Sequence, residues 1–257
     1  MDADEVRRQL TTPLGAPAYP AGGPYRFTDR EYLNIWYRTD LEALRRVVPE
    51  PLTVTDPLVK FEVMRMPDVT GLGSFSECGQ VLRVEHEGEP ADYLHAMYVD
   101  SLASIASGRE ISAFPKKLGA PELYVDGDTL VGTLDYGSLR VATATMGYKH
   151  GQLDEQAAID EIGTVTYGLK LLPGYDRRPR ICELVRSRIT RITVKGAWSG
   201  PARLQYFEHV LAPLADLPVR EVVSASHILC DLVLGRPELV HDYLAAPATP
   251  TAPTTEV

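Results

Sequence analysis

From Val59 onward, long stretches of this chain alternate apolar and polar side chains, a two-residue period that suits strands and not helices. Val59-Lys-Phe-Glu-Val-Met-Arg-Met66 sets the pattern. Leu123-Tyr-Val125 and Thr129–Leu134 flank Asp126-Gly-Asp128, the chemistry of a hairpin turn. Leu139–Tyr148 is rich in β-branched residues, and Arg180–Val194 and Val219–Leu234 are two more long alternating runs. About eight to ten strands are expected, spaced by the turns that a Gly- and Pro-rich chain supplies. Helices are predicted at Asp4–Leu10, from Asp40 to a stop at Pro49, at Asp154–Ile162 and at Pro237–Leu244. Pro13–Tyr25 reads as a loop. Few crossover helices separate the strands. The expected class is therefore mainly β (α+β), a large antiparallel β-sheet or barrel-like core with a few peripheral helices. No break in composition divides residues 1–244, which predicts a single domain. Residues 245–257 (AAPATPTAPTTEV) predict a disordered C-terminal tail.

Charge narrows the partners. Lys and Arg number 26 against 35 Asp and Glu, a net charge of −9 over 257 residues. An acidic chain of this kind argues against nucleic-acid or anionic-membrane surfaces, which need clustered cations. Cys78, Cys182 and Cys230 form no CxxC, and the six histidines show no HxH or HExxH spacing, so no metal site is expected. The acidic N-terminus lacks the apolar core of a signal peptide, and no stretch approaches the ~20 apolar residues of a membrane span. A cytoplasmic location is expected.

GxGxxG, GxxxxGK[ST] and GxSxG are absent. What stands out is Gly108-Arg-Glu-Ile-Ser-Ala-Phe-Pro-Lys-Lys-Leu-Gly119, two adjacent lysines set among apolar neighbours. Adjacent residues on an extended backbone point to opposite faces. One of Lys116 and Lys117 can then enter a pocket while the other stays in solvent or in an ion pair. A lysine drawn into an apolar pocket loses charge stabilisation and becomes a neutral amine nucleophile. Most lysine pairs are simply surface charges, and spacing alone does not decide between the two readings.

The chain from about Asp4 to Leu244 resembles the acetoacetate decarboxylase family. GREISAFPKKLG (108–119) resembles that family's Schiff-base lysine segment, GSFSECGQ (73–80) its glutamate segment and FTDREYLNIWYRTD (27–40) its N-terminal arginine segment. DTLVGTLDYGSLRVATATMGYKH (128–150) and SASHIL (224–229) add two further blocks in order. The resemblance implies a double β-sheet fold and cofactor-free decarboxylation of acetoacetate, a β-keto acid, to acetone and CO2. It implies a large homo-oligomer, a dodecamer in the family. It assigns the Schiff-base nucleophile to Lys116, its cationic neighbour to Lys117, a polar pair to Arg30 and Glu77, and a further buried carboxylate to Glu62. Phe114 stands where the closest relatives are expected to carry tyrosine, which leaves an apolar wall. Phe27 and Met97 are pocket-wall candidates, His95 is the histidine to watch, and Cys78 reads as a small buried thiol.

A free lysine with a pKa near ~10.4 is under about 0.1% neutral at pH 7. Lowering that value by roughly 3–5 makes much of it neutral and requires roughly 4–7 kcal/mol of differential stabilisation. Desolvation is expected to outweigh repulsion from Lys117, because the two side chains point apart. Arg30 is expected to orient the anionic substrate while paired to Glu77. Clamping a carboxylate that leaves as neutral CO2 would stabilise only the ground state. Two other readings use the same residues: a Schiff-base aldolase or dehydratase acting on a pyruvate-like keto acid, and a non-catalytic barrel in which Lys116 caps a small-ligand cavity.

Overall fold

The computed structural model describes residues 1–20 and 23–245, so the predicted tail beyond Ala245 lies outside the described residues. Its strands in chain order are β1 (Tyr25–Arg38), β2 (Leu58–Val69), β3 (Gly73–His86), β4 (Glu89–Val99), β5 (Lys116–Leu118), β6 (Ala120–Asp126), β7 (Thr129–Tyr136) and β8 (Leu139–Gly147). After these come β9 (Gly151–Gln152), β10 (Thr166–Pro173), β11 (Pro179–Ser187), β12 (Ile189–Ser199), β13 (Ala202–Tyr206), β14 (Glu221–Leu234) and β15 (Glu238–Asp242). The α-helices are α1 (Ala3–Arg7), α2 (Leu41–Arg45), α3 (Leu102–Glu110) and α4 (Glu155–Gly163), none long and apolar enough to cross a membrane.

Two sheets result. The larger runs β15-β11-β10-β4-β3-β2-β1-β14-β12-β9, with β5 also paired to β4; the smaller runs β13-β8-β7-β6. The mainly β class expected from the two-residue period is what forms, but the large sheet is mixed and not purely antiparallel. β10 and β5 both run parallel to β4, each delivered there after a helix. The Asp-Gly hairpin joins β6 to β7, with Asp126 opposite Thr129 and Gly127 at φ 59°, a left-handed turn conformation that glycine adopts without penalty.

Three expectations are corrected. Arg180–Val194 is not one strand: it breaks at Arg188 into β11 and β12, which lie next to opposite margins of the large sheet. One residue spans only about 7 Å between its neighbours, so the sheet must curl until those margins meet. This makes the core barrel-like. Residues 237–244 form no helix; β15 pairs antiparallel with β11, where Glu238 also binds Arg186 at 2.9 Å. The open edge of β11 offers more hydrogen bonds than a single isolated helical turn, and Pro237 just outside the strand removes no ladder donor. Strands also number fifteen among the described residues, more than expected, because β5 and β9 are too short to show a period. Asp40 does precede a helix, but its carboxylate binds Arg220 at 2.8 Å and makes no cap bond to α2. Asp154 does cap α4, accepting from the Ala157 backbone N–H at 3.0 Å.

The alternation in β2 divides the molecule. Val59, Phe61 and Val63 face the small sheet and join Leu33, Ile35, Leu130 and Leu134 in the inter-sheet core. Lys60, Glu62, Met64 and Met66 face the other way and line a pocket. The two sheets approach closely at Gly132 on β7, where an added Cβ would lie 2.8 Å from Val63 Cγ2 and 3.2 Å from Leu33 Cδ2. Gly132→Ala is therefore expected to lower unfolding free energy by about 1–3 kcal/mol. Urea denaturation measures it, and an unchanged midpoint would show that the sheets have slack at this point.

Candidate active site

Four neighbouring strands, β1–β4, together with β5 and helix α4 line a pocket of ≈ 690 Å³, counted out to its mouth. Even-numbered residues of β2 enter it, as do Glu77 and Val81 from β3. On β4 a bulge leaves His95 as the extra residue, between the pairs Val81↔Leu94 and Gln80↔Ala96. The bulge switches the parity of β4, so that Asp92, Leu94 and Met97 all face inward. His95 itself does not line the pocket, and burial holds its imidazole below the usual value. A similar irregularity at Asp29, φ 54°, lets both Phe27 and Arg30 of β1 point in.

β5 is only three residues long, yet its register fixes the lysines. Lys116 pairs with Met97 and shares its face; Lys117 pairs with Tyr98 and takes the opposite one. Lys116 is 6% exposed, whereas Lys117 is exposed and donates a hydrogen bond to the Leu211 carbonyl while its Nζ lies 5.1 Å from the Tyr136 ring centroid. The divergence expected of adjacent strand residues is present. Lys117 thus grips the far side of β5 and does not enter the pocket.

Inside, Lys116 Nζ lies 2.7 Å from Glu77 Oε2, an ion contact between side chains 7% and 4% exposed. It also donates to Ser104 Oγ at 2.8 Å. The rings of Phe75 and Phe114 flank the amine at 5.5 and 5.4 Å. The surroundings are therefore an apolar sleeve around one carboxylate and one hydroxyl. The expected Arg30–Glu77 pair does not form. Arg30 instead donates to Met64 Sδ at 2.7 Å, and its guanidinium stacks on Tyr32 and Phe27 at 4.6 and 4.9 Å. Glu77 is taken by the lysine because the β5–β4 register places that amine beside it. Among the described residues Arg30 has no carboxylate within 4.0 Å, and its Nε is buried without a partner. An anionic ligand would meet a cation that the protein has not already neutralised.

The pocket carries a second charged group, of which the sequence pointed to Glu62 alone. Lys60 Nζ lies 3.4 Å from both Glu62 and Asp92, and Arg83 reaches Asp92 at 3.3 Å. Burial disfavours the Lys60 charge, but Glu62 and Asp92 more than offset it and hold the lysine above its ordinary value. Burial also pushes the Glu62 carboxyl up, against the opposing pull of Lys60 and Arg30. Glu161 of α4 also lines the pocket, accepting hydrogen bonds from Asn34 Nδ2 at 3.1 Å and Trp36 Nε1 at 3.0 Å. Phe27, Glu62, Met97 and Phe114 line the pocket as expected. Lys60 and Met64 share the β2 parity of Glu62, the residue that the family resemblance named; Asp92 lies on β4, where the bulge keeps simple parity from placing it. Ser104 carried no such signal. Cys78 packs in the inter-sheet core, where burial raises its thiol well above the usual value.

Comparison with known proteins places the chain in a family. The family model described as acetoacetate decarboxylase (ADC) matches residues 10–244. A curated relative from Streptomyces nogalater, named acetoacetate decarboxylase, is 68% identical over 95% of this chain and 100% of its own length. One of the same name from Clostridium beijerinckii is 63% identical over 94% of this chain and 98% of its own. A solved acetoacetate decarboxylase structure, 59% identical, superposes with a TM-score of 0.93 over 95% of this chain and 100% of that one.

A carboxyl whose folded pKa is raised binds its proton more tightly in the folded state. The stability this gives is present below the unfolded value and is lost as pH rises through the folded one. For Glu62 that loss begins near pH 4.5 and continues upward. Glu62→Gln is expected to flatten the decline of the urea midpoint with rising pH across this window. Parallel pH profiles for the two proteins would show that Glu62 does not titrate abnormally.

Proposed function

The chain belongs to the acetoacetate decarboxylase family, and from that premise we propose that its pocket decarboxylates acetoacetate through a Schiff base on Lys116. That it is a carboxy-lyase of this kind follows from its relatives; the residue roles and the mechanism are the reading offered here. The observation that carries them is the buried Lys116 amine held 2.7 Å from Glu77 in an otherwise apolar sleeve. Glu77 is the base within reach of the amine, and proton transfer to it frees the lone pair. The neutral amine attacks the ketone carbon of acetoacetate. Return of that proton to the carbinolamine oxygen releases water and leaves a protonated imine.

The imine is the electron sink. The carboxylate departs as CO2, its bonding electrons pass into the iminium, and an enamine remains. The enamine needs a proton at carbon, and overall the reaction consumes one. Glu62 lines the same pocket and has a raised pKa, which suits it to deliver that proton and regain it from solvent. Hydrolysis of the resulting imine releases acetone and restores Lys116. No step requires a metal or organic cofactor. Phe27, Met97 and Phe114 form the apolar wall that keeps bulk water from the enamine. Lys117 acts through the strand, its anchor on the far side of β5 keeping Lys116 turned inward. A cytoplasmic homo-oligomer, a dodecamer as in the family, is the accompanying proposal for location and assembly.

Acetoacetate with borohydride is expected to leave a reduced adduct on Lys116, located by mass spectrometry, with CO2 evolved in the absence of reductant. No adduct, or one on another residue, overturns the mechanism; an adduct without CO2 release supports the aldolase or dehydratase reading instead. Arg30, lacking a carboxylate partner, serves to draw in and orient the substrate anion. Arg30→Gln is accordingly expected to raise KM by about 10-fold or more while kcat changes less. A loss confined to kcat would place Arg30 in the chemical step.

A further inference from the structure

Helix α3 reverses the usual rule for a packed helix. Its buried residues are Ser104, Ser107 and Gly108, while Leu102 is 73% exposed. A helix that turns small and polar side chains inward packs against something that needs both room and hydrogen bonds. The partner here is the Lys116 side chain. Ser104 is fully buried and its Oγ accepts from Lys116 Nζ at 2.8 Å. One turn later, a Cβ on Gly108 would sit 2.6 Å from Lys116 Cδ and 3.0 Å from Cε. The helix end is tied to the same residue, since Arg109 Nη1 donates to the Lys116 carbonyl at 3.2 Å. The helix therefore touches the lysine at its amine, along its alkyl arm and at its backbone.

We propose that Ser104 is a catalytic residue, which holds one N–H of the Lys116 amine and so sets the plane of the imine, and that Gly108 is the positioning residue that gives the lysine arm its path. The proposal rests on the reading of Lys116 as the Schiff-base nucleophile. A neutral amine has two N–H bonds and one lone pair. With one N–H on Ser104 Oγ, rotation about Cε–Nζ is restricted, and the lone pair freed by proton transfer keeps a fixed direction on the Glu77 side of the pocket. Attack forms the C–N bond as the ketone π pair moves to oxygen. After water leaves, the iminium keeps a single N–H, and its bond to Ser104 fixes the plane of the C=N group. Decarboxylation needs the breaking C–C bond perpendicular to that plane, so that its electrons enter the π system. A rotating imine would meet this condition only part of the time, and orientation of this kind is a large lever on rate.

The test uses the full-length protein and reads imine formation separately from turnover. Two assays report it: the rate of borohydride trapping on Lys116, and exchange of the acetone carbonyl oxygen with isotopically labelled water. Ser104→Ala is expected to lower kcat and both imine rates by about 10- to 100-fold, the range for losing a hydrogen bond to a charged group, with KM little changed. Ser104→Thr keeps the hydroxyl and is expected to recover most of the loss. Gly108→Ala meets the movable part of a lysine and no backbone, so its melting temperature should stay near that of the wild type while trapping falls. Imine rates within about twofold of wild type in Ser104→Ala, or a threonine variant no better than the alanine one, overturn the role of Ser104. Absence of any Lys116 adduct in the wild type is a different result, which overturns the Schiff-base reading itself.

Discussion

The structure is organised around one demand: a lysine amine must be carried away from water and held beside a carboxylate. Lys116 and Glu77 meet at 2.7 Å with both side chains almost wholly buried. Neither would survive there alone, because an unpaired buried charge costs several kcal/mol. The partners come from strands β5 and β3, which are not neighbours; β4 lies between them and supplies the register. β4 thus serves as the ruler of the site, and its bulge at His95 brings Met97, and with it Lys116, to the inward face.

Much of this was legible in the sequence, because period two is a strong signal wherever both faces of a strand are committed. β2 shows it most plainly: Val59, Phe61 and Val63 enter the inter-sheet core, while Lys60, Glu62, Met64 and Met66 line the pocket. The divergence of Lys116 and Lys117 followed from the same geometry. The failures have physical causes. Arg180–Val194 alternates across its break because β11 and β12 are both strands, and no local pattern marks the residue where a sheet changes margin. Residues 237–244 look helical on local chemistry, but an open sheet edge decides their fate. Pairing of Arg30 with Glu77 was implied by the family resemblance, and the register that places Lys116 beside Glu77 overturns it.

Helix α3 escaped for a more instructive reason. Amphipathic patterns reveal helices that bury apolar faces, and this one buries serine and glycine. Its fully buried face is shaped by the lysine, and Ile105 alone packs against the apolar core, so a search for apolar stripes passes over it. The second charged group of the pocket shares this logic. Lys60, Glu62 and Asp92 satisfy one another, while Arg30 is left resting on aromatic faces. The site spends its carboxylates on two lysines and keeps its guanidinium open, which suits entry of an anion better than permanent capture.

The pairing of β1 with β14 bears on the order in which the molecule comes together. Tyr25 lies opposite Leu234 and Arg30 opposite Cys230, contacts between the two ends of the chain. During synthesis, β1 and β2 emerge early, yet one edge of β1 has no partner until the 182 residues between Arg38 and Glu221 have followed. A long, apolar strand edge of that kind invites pairing with other chains. Closing so large a loop is also slow, as it is for other folds dominated by distant strand contacts. The wall that bears Arg30 is thus the first part of the pocket to be made and the last to be secured.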